Sequence, residues 1–570
     1  MKKLPIGIDR FEKLRRLGCY YVDKTGLIKE LLDEACEVSL FTRPRRFGKS
    51  LNLDMLKNFF EKGADRNLFE GLEILNSKDL CAEHFGAYPV VYLNFKDVDG
   101  DCFETAYQAL CSAAFMEVRR QCLKYALLQS SVLLETDQLF LKDVLAGSQD
   151  SKAIQGLCRV PQYLFEHCKK KVILLLDEYD VPLDKAYQKG YYDKMLDVVR
   201  GLLSMLLKSN EHLQFAVLTG CLQIARESIF TGLNHFVVNS VSDEEYSAYF
   251  GFTEAEVQQM LTYYGLDGHL NTVREWYNGY HFGAAPVYCP WDVLNYLRKL
   301  RRNPNAMPES FWVNSSSNAI LQKLLAEATE TVKEQLELLI SGEVIEKKLV
   351  PALTYKDLDH PDALIRETYL WSVMYAAGYL TQTERLSGGV SRLKIPNREI
   401  LEIYNEKISA WFRESVRGDT DRLTTLCQAF IQGEAAKVQA VFNDCLSGCI
   451  SIRDTYARKE MKENFYHGML LGILQCEGSW SVKSNQESGT GYGDIVLASP
   501  KDKIGCIIEM KYAENGAYEK YCKMAMRQIE CQNYADYFLQ KNMNEVHMYG
   551  IACYKKECVV MHQRINYLFD

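Results

Sequence analysis

A short segment in the N-terminal part of the chain has the residue types of a phosphate-binding loop. Residues 43–50 read RPRRFGKS and lie between an apolar run at 38–41 and a helical pattern that starts near Leu51. In such a loop, backbone N–H groups and a helix N-terminus hold the phosphates, a lysine reaches the β- and γ-phosphates, and the next hydroxyl binds Mg²⁺. We therefore expect ATP and Mg²⁺ here, with Ser50 as a metal ligand. The residues expected to contact the nucleotide are Arg46, Phe47, Gly48, Lys49, Ser50 and Leu51.

The loop departs from the usual GxxxxGK[ST] pattern. Arg43 occupies the position of the first glycine, and Pro44 removes a backbone donor. A Gly-Lys-Ser tripeptide alone is short and occurs by chance, so the prediction depends on a second motif.

That second motif is the apolar run at 172–176, which ends in Asp177 and Glu178. Asp177 is expected to hold Mg²⁺, and Glu178 to orient or deprotonate the attacking water. The alternative is a core strand that happens to end in acidic loop residues. Both motifs follow predicted strands, and ligands of open α/β sheets bind at the carboxyl ends of the strands.

Two further residues belong to the same expectation. A third apolar run, at 215–219, ends in Thr219, which suits a position facing the γ-phosphate. Arg226 could contact the phosphates in cis or from a neighbouring molecule, or be a surface or ion-paired arginine.

A second candidate site lies near the C-terminus. The apolar run at 504–508 ends at Glu509, and strand alternation places Lys511 on the same face. Asp494 opens another predicted strand, at 495–497. Acids from two adjacent strands can bind a divalent cation and position a water for phosphodiester attack, with Lys511 steadying the charge that develops.

A predicted helix upstream could complete this site. Glu463 and His467 are four residues apart and share a helix face, so Glu463 is a third candidate metal ligand beside Asp494 and Glu509. Downstream, Gln528 and Tyr534 lie on another predicted helix. A structural ion pair is the alternative for the Glu-x-Lys pattern.

Composition limits the class of protein. A chain of 570 residues is too long for one core and suggests roughly three or four domains. The net charge of −8 gives no general reason for nucleic-acid binding, which would need a local basic surface. The 19 cysteines form no CxxC pair, which disfavours a zinc ribbon, and no run is apolar enough for a membrane span or a signal peptide. The cytoplasm is the expected location.

Hydrophobic patterning divides the chain. Strand-like apolar runs alternate with helical patterns over the first 240 residues, which predicts an α/β parallel sheet with crossover helices. Residues 242–349 are mostly helical in pattern. Residues 370–398 predict a helix and two short strands around a Gly-Gly turn, as in a winged-helix-like module, and the last hundred residues return to α/β.

Several motifs resemble those of known families. The chain resembles the bacterial AAA-ATPase-like family in residues 4–8, 20–25, 43–51, 219–220, 229–234 and 276–280. Residues 463–468, 485–489, 493–494 and 509–511 resemble the PD-(D/E)xK nuclease superfamily domain that usually accompanies it. The resemblance implies that Arg43 at the glycine position is a family feature. It also implies four segments: a P-loop AAA-like ATPase core at 1–241, a helical lid at 242–349, a winged-helix-like and helical connector at 350–440, and a restriction-endonuclease-like nuclease domain at 441–570.

These observations lead to two function hypotheses. The first is an ATP-binding and ATP-hydrolysing protein that regulates a C-terminal Mg²⁺-dependent nuclease acting on DNA. The alternative is an ATP-driven signalling or scaffold protein that forms homo-oligomers and whose C-terminal domain binds nucleic acid without cleaving it. Glu178 disfavours a module that binds nucleotide without hydrolysis.

Overall fold

The computed structural model forms two compact units. The first comprises Met1–Leu325 and Glu346–Glu399, and the second Ala326–Ile345 and Ile400–Asp570. The division into four segments stays a prediction, because these units do not test the boundaries inside each of them. The structure describes residues 1–147, 151–208, 210–222, 236–312, 329–340, 342–352, 355, 360–404, 420–449, 459–474, 481–488, 491–499, 503–531, 538, 543 and 545–566.

A five-stranded parallel sheet forms the centre of the first unit. Its strands are β1 (Val38–Thr42), β2 (Val90–Asn94), β3 (Val172–Asp177), β4 (Leu213–Gly220) and β5 (Phe236–Asn239). Their order is β2-β3-β4-β1-β5, and every neighbouring pair is parallel. All side chains of β1 and β3 are buried, as expected for a sheet covered on both faces. The α/β class is confirmed, and the carboxyl ends of β2, β3 and β4 lie side by side.

The remaining strands belong to other sheets. They are β6 (Tyr280–Phe282), β7 (Ala285–Val287), β8 (Ile345–Lys348), β9 (Thr381–Arg385), β10 (Val390–Lys394), β11 (Ser481–Ser488), β12 (Gly491–Ser499), β13 (Ile504–Tyr512), β14 (Glu545–Tyr554) and β15 (Glu557–Asn566). Strands β6 and β7 form a hairpin, and β8-β10-β9 form a three-stranded sheet.

The helices are named here in chain order. They are α1 (Phe11–Arg16), α2 (Gly26–Glu34), α3 (Lys49–Phe60), α4 (Lys78–His84), α5 (Phe103–Lys124), α6 (Glu135–Ala146), α7 (Lys152–Cys168), α8 (Val181–Lys189), α9 (Tyr192–Leu207), α10 (Glu254–Tyr264), α11 (Leu270–Tyr277), α12 (Pro290–Leu300), α13 (Glu330–Ile340), α14 (Ala363–Ala376), α15 (Thr420–Gln432), α16 (Ala435–Cys449), α17 (Lys459–Leu474) and α18 (Tyr518–Cys531). None of the helices in the described part of the chain is both long enough and apolar enough to cross a membrane.

The region after β5 has a core of its own. Helices α10, α11 and α12 bury an apolar cluster that includes Tyr277, Tyr288 and Leu297. Helix α14 is followed by β9 and β10, which meet at residues 387–389. The predicted helix and two strands are present, and β8 adds a strand that the sequence pattern did not indicate. The winged-helix-like module stays a prediction.

A mixed five-stranded sheet forms the second unit. Its order is β11-β12-β13-β14-β15, with β13 and β14 parallel and the other pairs antiparallel. Helices α15, α16 and α17 contribute to a core that includes Ile508 and Met510 of β13. Ile507 of the same strand packs in a second core with Met526 of α18. Because successive side chains alternate between faces, β13 is covered on both.

Candidate nucleotide and metal sites

The predicted phosphate loop joins the end of β1 to the start of α3. Gly48, with φ of +86°, caps α3, and Arg46 also has a positive φ, of +73°. A non-glycine residue rarely adopts this left-handed conformation, so the path of the loop is constrained at Arg46. Lys49 begins α3, and Ser50 and Leu51 follow in its first turn, half-buried. The strand, loop and helix context required for a phosphate loop is therefore present.

The side chain of Lys49 is held within this loop. Its Nζ donates to the backbone carbonyls of Arg43 at 2.8 Å and Pro44 at 2.9 Å, and lies 3.5 Å from Cys221 Sγ. Only 6% of the side chain is exposed. The ammonium group is thus placed beside the end of β4, at the edge of the sheet where the sequence predicts the phosphates.

The side chain of Arg43, at the usual glycine position, is part of the buried interior. It is fully buried, and its guanidinium lies 5.0 Å from the ring centroid of Phe250 and 5.3 Å from that of Phe282. Its Nη1 donates to the carbonyls of Thr42 at 2.9 Å and Asn239 at 2.6 Å. Burial lowers the pKa of Arg43 to about 10. The side chain joins the ends of β1 and β5 to residues after the sheet.

Replacing Arg43 with glycine is expected to destabilise the first unit. The variant restores the usual loop pattern but removes two carbonyl contacts and the packing between two aromatic rings, for a loss of about 2–4 kcal/mol. Chemical denaturation followed by circular dichroism measures the change. Unchanged or increased stability would show that the buried contacts of Arg43 do not stabilise the first unit.

The neighbouring loop side chains lie in separate environments. Phe47 is 1% exposed and packs against Tyr280 and Phe282, so its ring is part of the core. The guanidinium of Arg46 lies 4.2 Å from the ring centroid of Trp291. Contact between these two residues and a nucleotide would therefore come most directly from their backbone groups.

The predicted metal-binding acid is held by both neighbouring strands. Asp177 is fully buried, and its Oδ1 accepts from Thr219 Oγ1 at 2.5 Å while its Oδ2 accepts from Asn94 Nδ2 at 2.8 Å. The sequence pattern indicated Thr219 but not Asn94. Asn94 could have been found as a polar residue at the end of an apolar run. It pairs in register with Asp177. These hydrogen bonds fix the carboxylate that would hold Mg²⁺.

Glu178 follows in a left-handed conformation, with φ of +55°. Burial raises the pKa of its carboxyl, Lys49 and Arg45 lower it, and Asp177 and Asp180 raise it, with a net increase. A carboxylate with a raised pKa is a stronger base, and a general base is most effective when its pKa approaches the working pH. The environment of Glu178 therefore suits proton abstraction from water.

The C-terminal candidate site joins a helix and a strand. Lys511 Nζ lies 3.1 Å from Glu509 Oε1 on β13 and 3.6 Å from Glu463 Oε2 on α17. The other oxygen of Glu463 accepts from the backbone N–H of Tyr512 at 3.1 Å. Glu509 is fully buried. Two carboxylates thus converge on one ammonium group, and carboxylate oxygens are donors that suit Mg²⁺.

The position of the third predicted acid of this site follows from the pairing of its strand with β13. Asp494 lies in β12, one residue before Ile495, whose backbone pairs with Ile508. Since Ile508 precedes Glu509 and the strands are antiparallel, continuing this register sets Asp494 beside Glu509. The side chain of Asp494 lies outside the described part of the structure. Among the side chains that are described, no group of three or more His, Cys, Asp or Glu could hold a metal ion.

Two further residues named from the sequence lie on helices of the second unit. Gln528 is half-buried on α18, and His467 is half-buried on α17. Arg226 and Tyr534 lie outside the described residues.

The fold and these sites define a P-loop ATPase-like unit followed by a nuclease-like unit. A family model described as a predicted AAA-ATPase matches residues 5–230, and a model of the PD-(D/E)XK nuclease superfamily matches residues 461–563. A protein of Azotobacter chroococcum mcd 1, described as "Uncharacterized protein in vnfD 5'region", is 30% identical over 567 residues, 96% of each chain. The chain therefore belongs to the AAA-ATPase-like family and carries a C-terminal PD-(D/E)XK nuclease superfamily domain, as the motifs predicted.

Two solved structures also show similarity. A chain of the Drosophila ORC bound to DNA is 12% identical, with a TM-score of 0.23, covering 69% of this chain and 85% of that one. The Aeropyrum pernix ORC2 protein, in ADPNP-ADP complexes, is 9% identical, with a TM-score of 0.24, covering 70% and 94%. TM-scores this low support no inference about the present chain.

Proposed function

We propose that the chain binds and hydrolyses ATP at the loop of residues 43–50, and that this activity regulates a C-terminal Mg²⁺-dependent nuclease acting on DNA. The observation that carries the ATPase assignment is the arrangement at the end of β3. Asp177 is hydrogen-bonded from both neighbouring strands, and Glu178 lies next to it within the electrostatic range of Lys49.

Each residue of this site has a separate role in the proposed hydrolysis. Lys49 binds the β- and γ-phosphates, and Ser50 and Asp177 hold the cation, which neutralises phosphate charge when bound. Asn94 and Thr219 keep the Asp177 carboxylate in one orientation. Glu178 accepts a proton from the attacking water. These assignments use the polar side chains at the carboxyl edge of the sheet, where ligands of such sheets bind.

The proposed nuclease site uses Glu463, Asp494, Glu509 and Lys511. The three acids would hold a divalent cation, which polarises a phosphodiester and activates water when bound. Lys511 is already placed between two of these acids, from where its ammonium group can steady negative charge on the phosphate. The contacts of Glu463 and Glu509 with this lysine bring side chains of α17 and β13 to one place, which the assignment requires.

A DNA-cleavage assay tests the nuclease assignment and the ATP-binding assignment separately. The full chain is incubated with single- and double-stranded DNA and Mg²⁺ or Mn²⁺, with and without ATP. We expect Asp494→Ala to lower cleavage about 100-fold or more, because a metal ligand is lost. We expect Lys49→Ala to abolish nucleotide binding and the effect of ATP on cleavage.

Matched variants control for unspecific damage. Glu519→Ala, an exposed acid on α18, and Lys152→Ala, an exposed lysine on α7, are expected to behave as wild type. Cleavage unaffected by Asp494→Ala would contradict the nuclease assignment. Nucleotide binding unaffected by Lys49→Ala would contradict the loop assignment.

One observation favours the alternative of a scaffold ATPase that binds nucleic acid without cutting it. Lys511 neutralises both Glu463 and Glu509, as in a structural ion-pair network. The same assay separates the alternatives. A scaffold would bind DNA and slow its migration in electrophoresis, without producing cleavage products with either Mg²⁺ or Mn²⁺.

A further inference from the structure

Two cations of the phosphate loop converge on one sulfur atom. Lys49 Nζ lies 3.5 Å from Cys221 Sγ, and the Arg45 side chain hydrogen-bonds to the same thiol. Cys221 is the first residue after β4, so both cations are next to the carboxyl edge of the sheet. Neighbouring like charges repel, and an anion between them relieves that repulsion. The arrangement therefore forms a site for negative charge.

The turn that carries Cys221 is fixed by a buried acid. Asp180 Oδ2 accepts from the backbone N–H groups of Cys221 at 2.9 Å and Leu222 at 3.0 Å. Asp180 is 4% exposed, and a β-carbon added at Gly220 would lie 2.8 Å from its Oδ1. These close contacts hold the sulfur, and with it the two cations, in a defined place.

The charge of Arg45 also reaches the residue assigned as the general base. Its charge acts on Glu178 together with that of Lys49. Arg45 Nη2 lies 3.7 Å from Asp184 Oδ2, a separation longer than a hydrogen bond. Asp184, which also accepts from Gln188 at 3.0 Å, and the Cys221 thiol thus keep the guanidinium at the edge of the sheet where the phosphates are expected.

The other two loop arginines have different partners. Arg43 is fully buried and bound to the carbonyls of Thr42 and Asn239. Arg46 is placed over Trp291. Arg45 instead approaches Asp184, an acid of the helix that follows β3.

We infer that Arg45 is a catalytic residue that donates hydrogen bonds to the γ-phosphate oxygens of ATP and stabilises the transition state of hydrolysis. The inference rests on the proposed ATPase function. In this step a water oxygen forms a bond to the γ-phosphorus while the bond from that phosphorus to the β–γ bridging oxygen breaks. The electron pair of the broken bond remains on ADP, and the water proton passes to Glu178. Arg45 and Lys49 together balance the charge that spreads over the γ-phosphoryl oxygens.

Kinetics of Arg45→Ala and Arg45→Lys test this role in the full chain. We expect Arg45→Ala to lower kcat about 10²–10³-fold, the effect of losing a donor to transition-state charge, and Arg45→Lys to lower it less. Affinity for ADP should stay within about threefold, whereas affinity for ADP with aluminium fluoride, which mimics the transferring phosphoryl group, should fall about 100-fold.

The comparison of these ligands separates catalysis from a structural role. Equal losses of affinity for ADP and for ADP with aluminium fluoride, or an unchanged kcat, would overturn the inference. Arg200→Ala, at an exposed position on α9, is the matched control and should resemble wild type. A wild-type chain that binds no nucleotide contradicts the proposed function as well, whereas a hydrolysing wild type with an unaffected Arg45→Ala contradicts the role of Arg45 alone.

Discussion

Replacing Glu178 with glutamine is expected to lower kcat for ATP hydrolysis about 10²–10⁴-fold and to leave ATP affinity within a few-fold. Glutamine has nearly the same shape and cannot accept the proton of the attacking water. The phosphate-binding residue Lys49 and the carboxylate of Asp177 are unchanged. Steady-state phosphate release gives kcat, and a fluorescent nucleotide gives the affinity.

The pH dependence of the reaction provides a second readout. Burial raises the pKa of Glu178, and the base works only when it is ionised. The rate of the wild type should therefore fall as the pH drops through that raised pKa, and the acidic limb should be absent from Glu178→Gln. Such a limb reports the essential base directly.

An exposed glutamate near the start of β4 supplies the control. Glu211→Gln removes the same charge without approaching the carboxyl edge of the sheet and should keep the wild-type rate. A Glu178→Gln variant that hydrolyses ATP at the wild-type rate would show that another group takes the proton.

Replacing Gly279 with alanine is expected to destabilise the first unit by about 4 kcal/mol or more, the range of severe single substitutions. Gly279 has φ of +109°, and a β-carbon there would lie 1.9 Å from the carbonyl oxygen of Pro396. The backbone carbonyl cannot turn away as a flexible side chain would. Denaturation followed by circular dichroism and tryptophan fluorescence measures the loss.

Gly190 separates the clash from the conformational effect. It also has a positive φ, of +81°, but a β-carbon there meets nothing within 4 Å. Gly190→Ala should therefore cost only the left-handed backbone strain, about 1–2 kcal/mol. If the two variants lose the same stability, the approach of Pro396 does not determine the path of the chain at Gly279.

Local patterning explains why most of the parallel sheet could be predicted. Strands such as β2 and β3 are continuous apolar runs because both faces of a parallel sheet are covered, and such runs are visible in one dimension. Strand β5 was missed. It has four residues, and its pairing with β1 depends on segments about 200 positions apart.

Chemical residue types explain why much of each candidate site could be named in advance. Lys49, Asp177 and Glu178 follow from a loop and a strand end, and Glu509 and Lys511 follow from strand alternation. Their individual roles stay proposals. Two of the partners that contact them were not named this way, since Asn94 reaches Asp177 from another strand and Cys221 approaches Lys49 from the end of β4.

The sequence by itself determined the family and the α/β class, and it named many of the candidate site residues, because motifs and hydrophobic periods are local properties. Only the tertiary structure decided what each of the three loop arginines does. Arg43 turns into a gap between Phe250 and Phe282, Arg46 lies on Trp291, and Arg45 approaches Asp184 of the helix after β3. These directions depend on aromatic rings and carboxylates that are distant in sequence and become neighbours only when the sheet and its helices pack.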